Sequence, residues 1–150
     1  MMSAADRTMV IERMIAAPVA VVWGAWMNPD SLPLWFGPDG FSCRTLRIDL
    51  HQGGDWVFDM IGPDGTVYPN HHRYDEVIAE RHIAYTLLRG ENGARHADAT
   101  VTFEAVGGAT KVTLRMVMLT VKEYQQAVGF GAPALGLQTL GKLARAVGAE

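Results

Sequence analysis

Residues 16–40 read AAPVAVVWGAWMNPDSLPLWFGPDG and hold three of the chain's four tryptophans, together with Phe36 and four prolines. Val19, Val22, Trp23 and Trp26 fall at i, i+3, i+4 and i+7, which makes one apolar stripe on a helix. Pro18 suits the first helical position, where its missing N–H costs nothing. Asn28-Pro29 stops this helix and caps a second, shorter one. The second segment ends in Leu34-Trp35-Phe36-Gly37-Pro38, an apolar ledge expected to lie over other parts of the molecule.

On either side of this stretch the period is two. Arg7–Ile15 alternates as a strand, with Met9, Ile11 and Ile15 on one side. Downstream, six strands are predicted between turn signals. Phe41–Leu50 groups Leu46, Ile48 and Leu50. After Gly53-Gly54, Trp56, Phe58 and Met60 share a face. Gly62-Pro63-Asp64-Gly65 is a turn, followed by a longer and more polar strand over Thr66–Ile78. His82–Leu88 places Ile83, Tyr85 and Leu87 together. Ala97–Ala105 puts Ala99, Val101 and Phe103 inward, and Gly107-Gly108 closes a hairpin. Thr110–Leu119 puts Val112, Leu114, Met116 and Met118 inward.

The period then changes to that of a helix. Thr120 with Glu123 reads as a capping box. The helical pattern runs to Val147, with Leu140, Leu143 and Val147 in one stripe and Gly136 one turn earlier. Gly129, Gly131 and Pro133 predict a break in its first half. The element order is β, α, α, six β, α. A seven-stranded antiparallel sheet with one apolar face needs a cover, and a long C-terminal helix supplies it. One helix does not fill the inside of a strongly bent sheet, so a cavity is expected.

Bulk composition narrows the function classes. At 150 residues the chain is expected to form one domain, residues 1–150, with an ordered core from about 7 to 147. Apolar residues at 49% and charged residues at 19% fit an ordered globular chain. A net charge of −3 gives no electrostatic case for nucleic acid or an anionic membrane. No apolar run approaches membrane-spanning length, and the first ten residues lack a secretory pattern. The single cysteine, Cys43, allows no internal disulfide, so a reducing compartment, the cytoplasm, is the expected location. Zinc, dinucleotide and P-loop patterns are absent, and neither a metal nor a cofactor is expected.

Several short motifs, in order, resemble one family. They are Ala17-Pro18 with Val22-Trp23, Asn28-Pro29-Asp30, Trp35-Phe36-Gly37-Pro38, Asp49-Leu50 with Gly53-Gly54, Pro63-Asp64-Gly65, Tyr74-Asp75-Glu76-Val77 with Glu80-Arg81, and Gly136 with Gln138-Thr139-Leu140. Together they resemble the START-like (SRPBCC) superfamily, in the branch related to the C-terminal domain of the activator of heat-shock-protein-90 ATPase. The resemblance runs from about Arg7 to Val147. It implies an α+β helix-grip fold like that of the birch pollen allergen, with a ligand-sized hydrophobic cavity between sheet and long helix. It implies no shared reaction and no set of catalytic residues. Leu137 stands where members of the family often carry an aromatic side chain.

Candidate chemistry centres on the inner face. Adjacent His71 and His72 point to opposite faces of a strand, so they cannot jointly hold one metal ion; one exposed and one hydrogen-bonded histidine is the expectation. Asn70, His72 and Tyr74 share a face, and the register leaves open whether it is the inner or the solvent face. A buried Tyr85 hydroxyl would need a partner, which a ligand or water could provide. Methionines at 60, 116 and 118 would adapt to ligands of varied shape. Cys43 has no histidine at a motif spacing, which argues against a nucleophilic role.

The expected activity is reversible binding of a small apolar or aromatic molecule, since burial at about 25 cal/mol per Å² gives affinity without any catalytic group. The expected lining is Trp35, Phe36, Phe58, Met60, His72, Tyr74, Tyr85, Phe103, Met116, Phe130 and Leu137. One alternative is a cyclase, dehydratase or hydrolase using the same cavity, with His72 or Tyr74 as its acid–base group. Another is a co-chaperone-like interaction module with an exposed patch for a protein partner. An exposed edge strand makes a homodimer an option.

Overall fold

In the computed structural model, residues 3–149 are described. A 3₁₀ turn (Ala4–Arg7) leads into β1 (Thr8–Ile15), α1 (Val19–Met27) and α2 (Leu32–Trp35). Six strands follow: β2 (Ser42–Ile48), β3 (Asp55–Ile61), β4 (Val67–Ile78), β5 (His82–Leu88), β6 (Arg95–Val106) and β7 (Ala109–Met118). The described chain closes with α3 (Val121–Gly129) and α4 (Ala132–Ala146). The strands form one antiparallel sheet in the order β1-β7-β6-β5-β4-β3-β2. It is the curved sheet and C-terminal helix of the helix-grip fold, as the sequence pattern implies.

The inward rows follow the period-two pattern closely. Ala99, Val101 and Phe103 of β6 are buried, as are Val112, Leu114 and Met118 of β7. In α1 the predicted stripe is the inner one: Val22 and Trp26 are buried, while Val19 and Trp23 pack half-exposed against the same core. Pro18 is the N-cap of α1 rather than its first helical residue, with ψ 151°.

Three local features depart from the sequence pattern. Leu46 is 62% exposed, because a β-bulge shifts the β2–β3 register between Thr45 and Arg47. The extra residue turns Leu46 away from Ile48, which stays paired with Trp56. His71 and His72 are both buried, at 2% and 3% exposure, so neither is the solvent-facing partner that alternation suggested. His71 lies on the outer face, where the β5–β6 loop covers it: the Asn92 backbone N–H donates to Nδ1 at 3.1 Å, and Nε2 donates to Asp55 Oδ2 at 2.9 Å. Of the capping box only half is present, with Thr120 Oγ1 accepting from the Glu123 N–H at 3.1 Å.

The C-terminal segment breaks where glycine and proline predict it. Gly131 adopts φ +84°, a left-handed conformation that glycine takes at little cost, and α4 starts afresh beyond it. Leu140, Leu143 and Ala144 of α4 are fully buried. Among the strands, α4 packs chiefly on β1. The closest approach is at Gly136, where a Cβ atom would stand 2.4 Å from Ile11 Cδ1. Glycine in a helix interior is unfavourable by about 1 kcal/mol relative to alanine, so it is the contact with β1 that explains a glycine here.

That contact makes a testable coupling. Gly136→Ala must move the Ile11 Cδ1 methyl, the far end of a side chain, so its overpacking cost lies at the low end of about 1–3 kcal/mol, against the helix-propensity gain. Ile11→Val removes the clashing methyl group and alone costs about 0.5–1.5 kcal/mol. In the Gly136→Ala background it should cost less, or stabilise. Urea unfolding of the two single variants and the double variant measures the coupling; strict additivity would show that the helix and strand do not meet as described.

Candidate functional site

Because α4 leans on β1, the middle of the concave sheet face is left partly uncovered. A cavity of about 280 Å³ lies there. Its sheet-side wall comes from the outer members of two cross-strand rows, whose central alanines lie behind it. One row runs Met9–Met116–Ala99–Tyr85 across β1, β7, β6 and β5. The other runs Met118–Ala97–Leu87–His72 across β7, β6, β5 and β4. Each row has a small alanine at its centre. Opposite, Ala127 of α3 and Ala132, Leu135, Gly136 and Thr139 of α4 form the helical wall. Phe36, Gly37 and Pro38 close one end, with Met60 and Asn70 beside them, while His96 and Leu114 complete the border.

The predicted lining residues divide into three groups. Phe36, Met60, His72, Tyr85 and Met116 border the cavity. Trp35, Phe58, Tyr74 and Phe103 are buried in the packed core and do not border it. Trp35 sits against Trp26 with ring centroids 4.9 Å apart, and its Nε1 donates to the Ala25 carbonyl at 3.0 Å. It therefore anchors α2 on α1 rather than facing the cavity. Phe130 and Leu137 lie outside, at 85% and 44% exposure. Phe130 is the C-cap of α3 at the turn into α4, and Leu137 is one residue from Gly136, rotated off the buried stripe.

Some bordering residues carried no prediction. Leu87 and Leu114 were legible, since each continues an inward row by two residues from Tyr85 or Met116. Met9 falls on an inward face by its period, but only its pairing with Met116 brings it to this cavity. His96, Leu135 and Thr139 have no local signal that points to a site.

Electrostatically the cavity is neutral. Among the described residues, no Asp, Glu, Lys or Arg borders it. Burial, helped by the nearby His71, pushes the His72 imidazole down to about 3, so the ring is uncharged near neutrality. Burial also lowers His96, with the Arg89 guanidinium adding to the effect; Arg89 Nη2 donates to His96 Nδ1 at 2.8 Å. The Tyr85 hydroxyl is pushed above its usual range by desolvation. Aromatic edges surround His72: Phe58 at 5.0 Å, Phe36 and Trp56 at 5.6 Å each, and a stacked Tyr85 at 4.6 Å between centroids. Cys43 donates its thiol to the Phe36 carbonyl at 3.3 Å, and burial pushes the thiol up to about 12. A thiol in that state is not a nucleophile at neutral pH. Among the described residues, no group of three or more His, Cys, Asp or Glu side chains is placed to hold a metal ion, and no helix is long and apolar enough to cross a membrane.

A bent antiparallel sheet, two short helices after its first strand and a closing C-terminal helix define a helix-grip protein. The family model described as activator of Hsp90 ATPase homolog 1-like protein matches residues 16–148, and the chain belongs to that family. Solved structures share the fold. A protein of Arthrobacter aurescens superposes with a TM-score of 0.86 at 21% identity, over 98% of this chain and 89% of that one. A protein of Nitrosomonas europaea gives 0.82 at 24% identity, over 95% of each chain. One from Mycobacterium smegmatis gives 0.83 at 21% identity, over 97% of this chain and 93% of its own. At such identities the likeness extends to fold alone. No curated protein matches this chain in sequence.

The low proton affinity of His72 has a consequence for stability. The folded chain leaves this ring unprotonated down to about pH 3, whereas the unfolded chain protonates it near the ordinary histidine value of 6.5. Between those values the unfolded state binds the extra proton, so stability falls as pH falls, by up to about 1.4 kcal/mol per pH unit. His72→Phe lacks this response. Urea unfolding of both proteins between pH 7 and pH 4 should show the variant gaining on the parent as the solution is acidified; parallel curves would mean that His72 protonates freely in the fold.

Proposed function

We propose that the protein reversibly binds a small hydrophobic or aromatic molecule in the cavity between its sheet and its C-terminal helices. The observation that carries this is a space of about 280 Å³ with mostly apolar walls and, among the described residues, no charged side chain on its border. An apolar cavity of about 150 Å³ accommodates one benzene ring, so a molecule of about two rings is of suitable size. Flexible walls at Met9, Met60, Met116 and Met118 suit occupants of differing outline.

The state of His72 favours binding over acid–base chemistry. A general base works best with a proton affinity near the operating pH, and this ring is depressed to about 3. Tyr74, the other acid–base candidate, does not border the cavity. We place the binding activity in the cytoplasm, in keeping with a lone, half-buried cysteine whose thiol is held protonated.

Equilibrium dialysis against 2-methylnaphthalene tests this. The parent protein should take up one equivalent. Met116→Trp, which fills the space from the β7 side, should weaken uptake at least tenfold while leaving the urea transition cooperative. Equal uptake by both proteins, or none by the parent, would remove the cavity from the function.

A further inference from the structure

Two side chains at this cavity have hydrogen-bonding groups with nothing to bond. His72 and Tyr85 are each 3% exposed, and both border the cavity. Among the described residues neither makes a hydrogen bond; their partners are aromatic rings. Buried polar side chains are normally paired. Nor are these atoms sealed inside the core. Among the described residues, the one sealed side-chain oxygen or nitrogen without a partner is Glu123 Oε2. The polar atoms of His72 and Tyr85 are therefore reachable, and the space they border is the cavity. Their rings stack with centroids 4.6 Å apart and planes 28° apart, which makes one contiguous polar patch on a mostly apolar wall.

Building on the cavity-binding function, we propose that the ligand is an uncharged aromatic molecule carrying a hydroxyl or carbonyl group, and that Tyr85 and His72 hold that group. The Tyr85 hydroxyl can donate to a carbonyl or phenol oxygen. A neutral imidazole has one donor and one acceptor nitrogen, so it serves either end of a hydroxyl. Asn70 adds an acceptor: its Nδ2 donates to the Tyr68 carbonyl at 2.9 Å, and its Oδ1 is left over. A second polar substituent on the ligand could use it.

Charge is selected against by the same wall. A carboxylate or ammonium would lose its hydration and gain no counterion. The cations near the border are engaged elsewhere. Arg89 donates to His96 and lies 3.4 Å from the Glu123 carboxylate. Lys142, behind Pro38, donates to the Pro38 and Phe41 carbonyls at 3.3 Å each. Burial depresses His72 far below neutrality, so it does not offer a positive charge to an anion.

Three probes of nearly one shape separate these effects: 2-naphthol, 2-methylnaphthalene and 2-naphthoate, measured by equilibrium dialysis at pH 7. The parent protein should bind 2-naphthol about tenfold more tightly than 2-methylnaphthalene, and 2-naphthoate at least tenfold more weakly than either. Tyr85→Phe keeps the ring and removes the hydroxyl. It should lower the 2-naphthol to 2-methylnaphthalene affinity ratio from about tenfold to near one, and that ratio is the readout. His72→Phe, which retains the ring contacts, should act in the same direction. If 2-methylnaphthalene binds but 2-naphthol binds no better, or if Tyr85→Phe leaves their ratio intact, the polar anchor is wrong and the apolar cavity stands. If 2-naphthoate binds as well as 2-naphthol, the selection against charge is wrong. If none of the three binds, the anchor fails together with the binding function.

Discussion

The close approach of Gly136 to Ile11 is where α4 seats on β1. A helix that presents no side chain at that point settles directly on β1, the edge strand, instead of riding over the middle of the sheet. The remaining helical surface, Leu140, Leu143 and Ala144, is fully buried from that seat. The cost of the arrangement falls on the centre of the concave face, where one leaning helix cannot reach every inward row. At one end the space is filled by α1 and α2, whose Trp26 and Trp35 meet edge to face and extend to Phe103 and Phe36. At the other end it stays open as the cavity.

The aromatic side chains thus have two jobs that look alike in sequence. Trp26, Trp35, Trp56 and Phe58 make an interior with specific edge and stacking contacts, of the kind that rigidifies a core. Phe36, His72 and Tyr85 continue the same network but stop at empty space. Rings packed behind them hold these side chains, so the aromatic part of the cavity wall is preorganised while the methionines can adjust. A preorganised wall spends little binding free energy on ordering side chains. On the outer face, His71 shows how different the environment of a neighbouring residue can be. It is tied to Asp55 and to the Asn92 backbone, and its role is to hold the β5–β6 loop on the sheet.

Much of the fold was readable because strand alternation maps directly onto faces. β6 and β7 needed only their period, and the helix break at Gly131 needed only the glycine and proline that flank it. Where a single residue disturbs the period, the pattern misleads. The bulge between Thr45 and Arg47 turns Leu46 outward, and no property of the leucine announces it. The cavity border was legible in part. Phe36, Met60, His72, Tyr85 and Met116 lie on inward rows or on the ledge after α2, and they border the space. Trp35, Phe58, Tyr74 and Phe103 are also inward, yet they are covered by neighbours from distant parts of the chain.

Local sequence determined which residues turn inward, where helices start and stop, and which family the chain joins, because periodicity, capping and turn chemistry act over a few residues. Tertiary structure alone decided which of those inward residues face empty space. That depends on where α4 comes to rest on β1, with residue 136 beside residue 11, a contact spanning most of the chain.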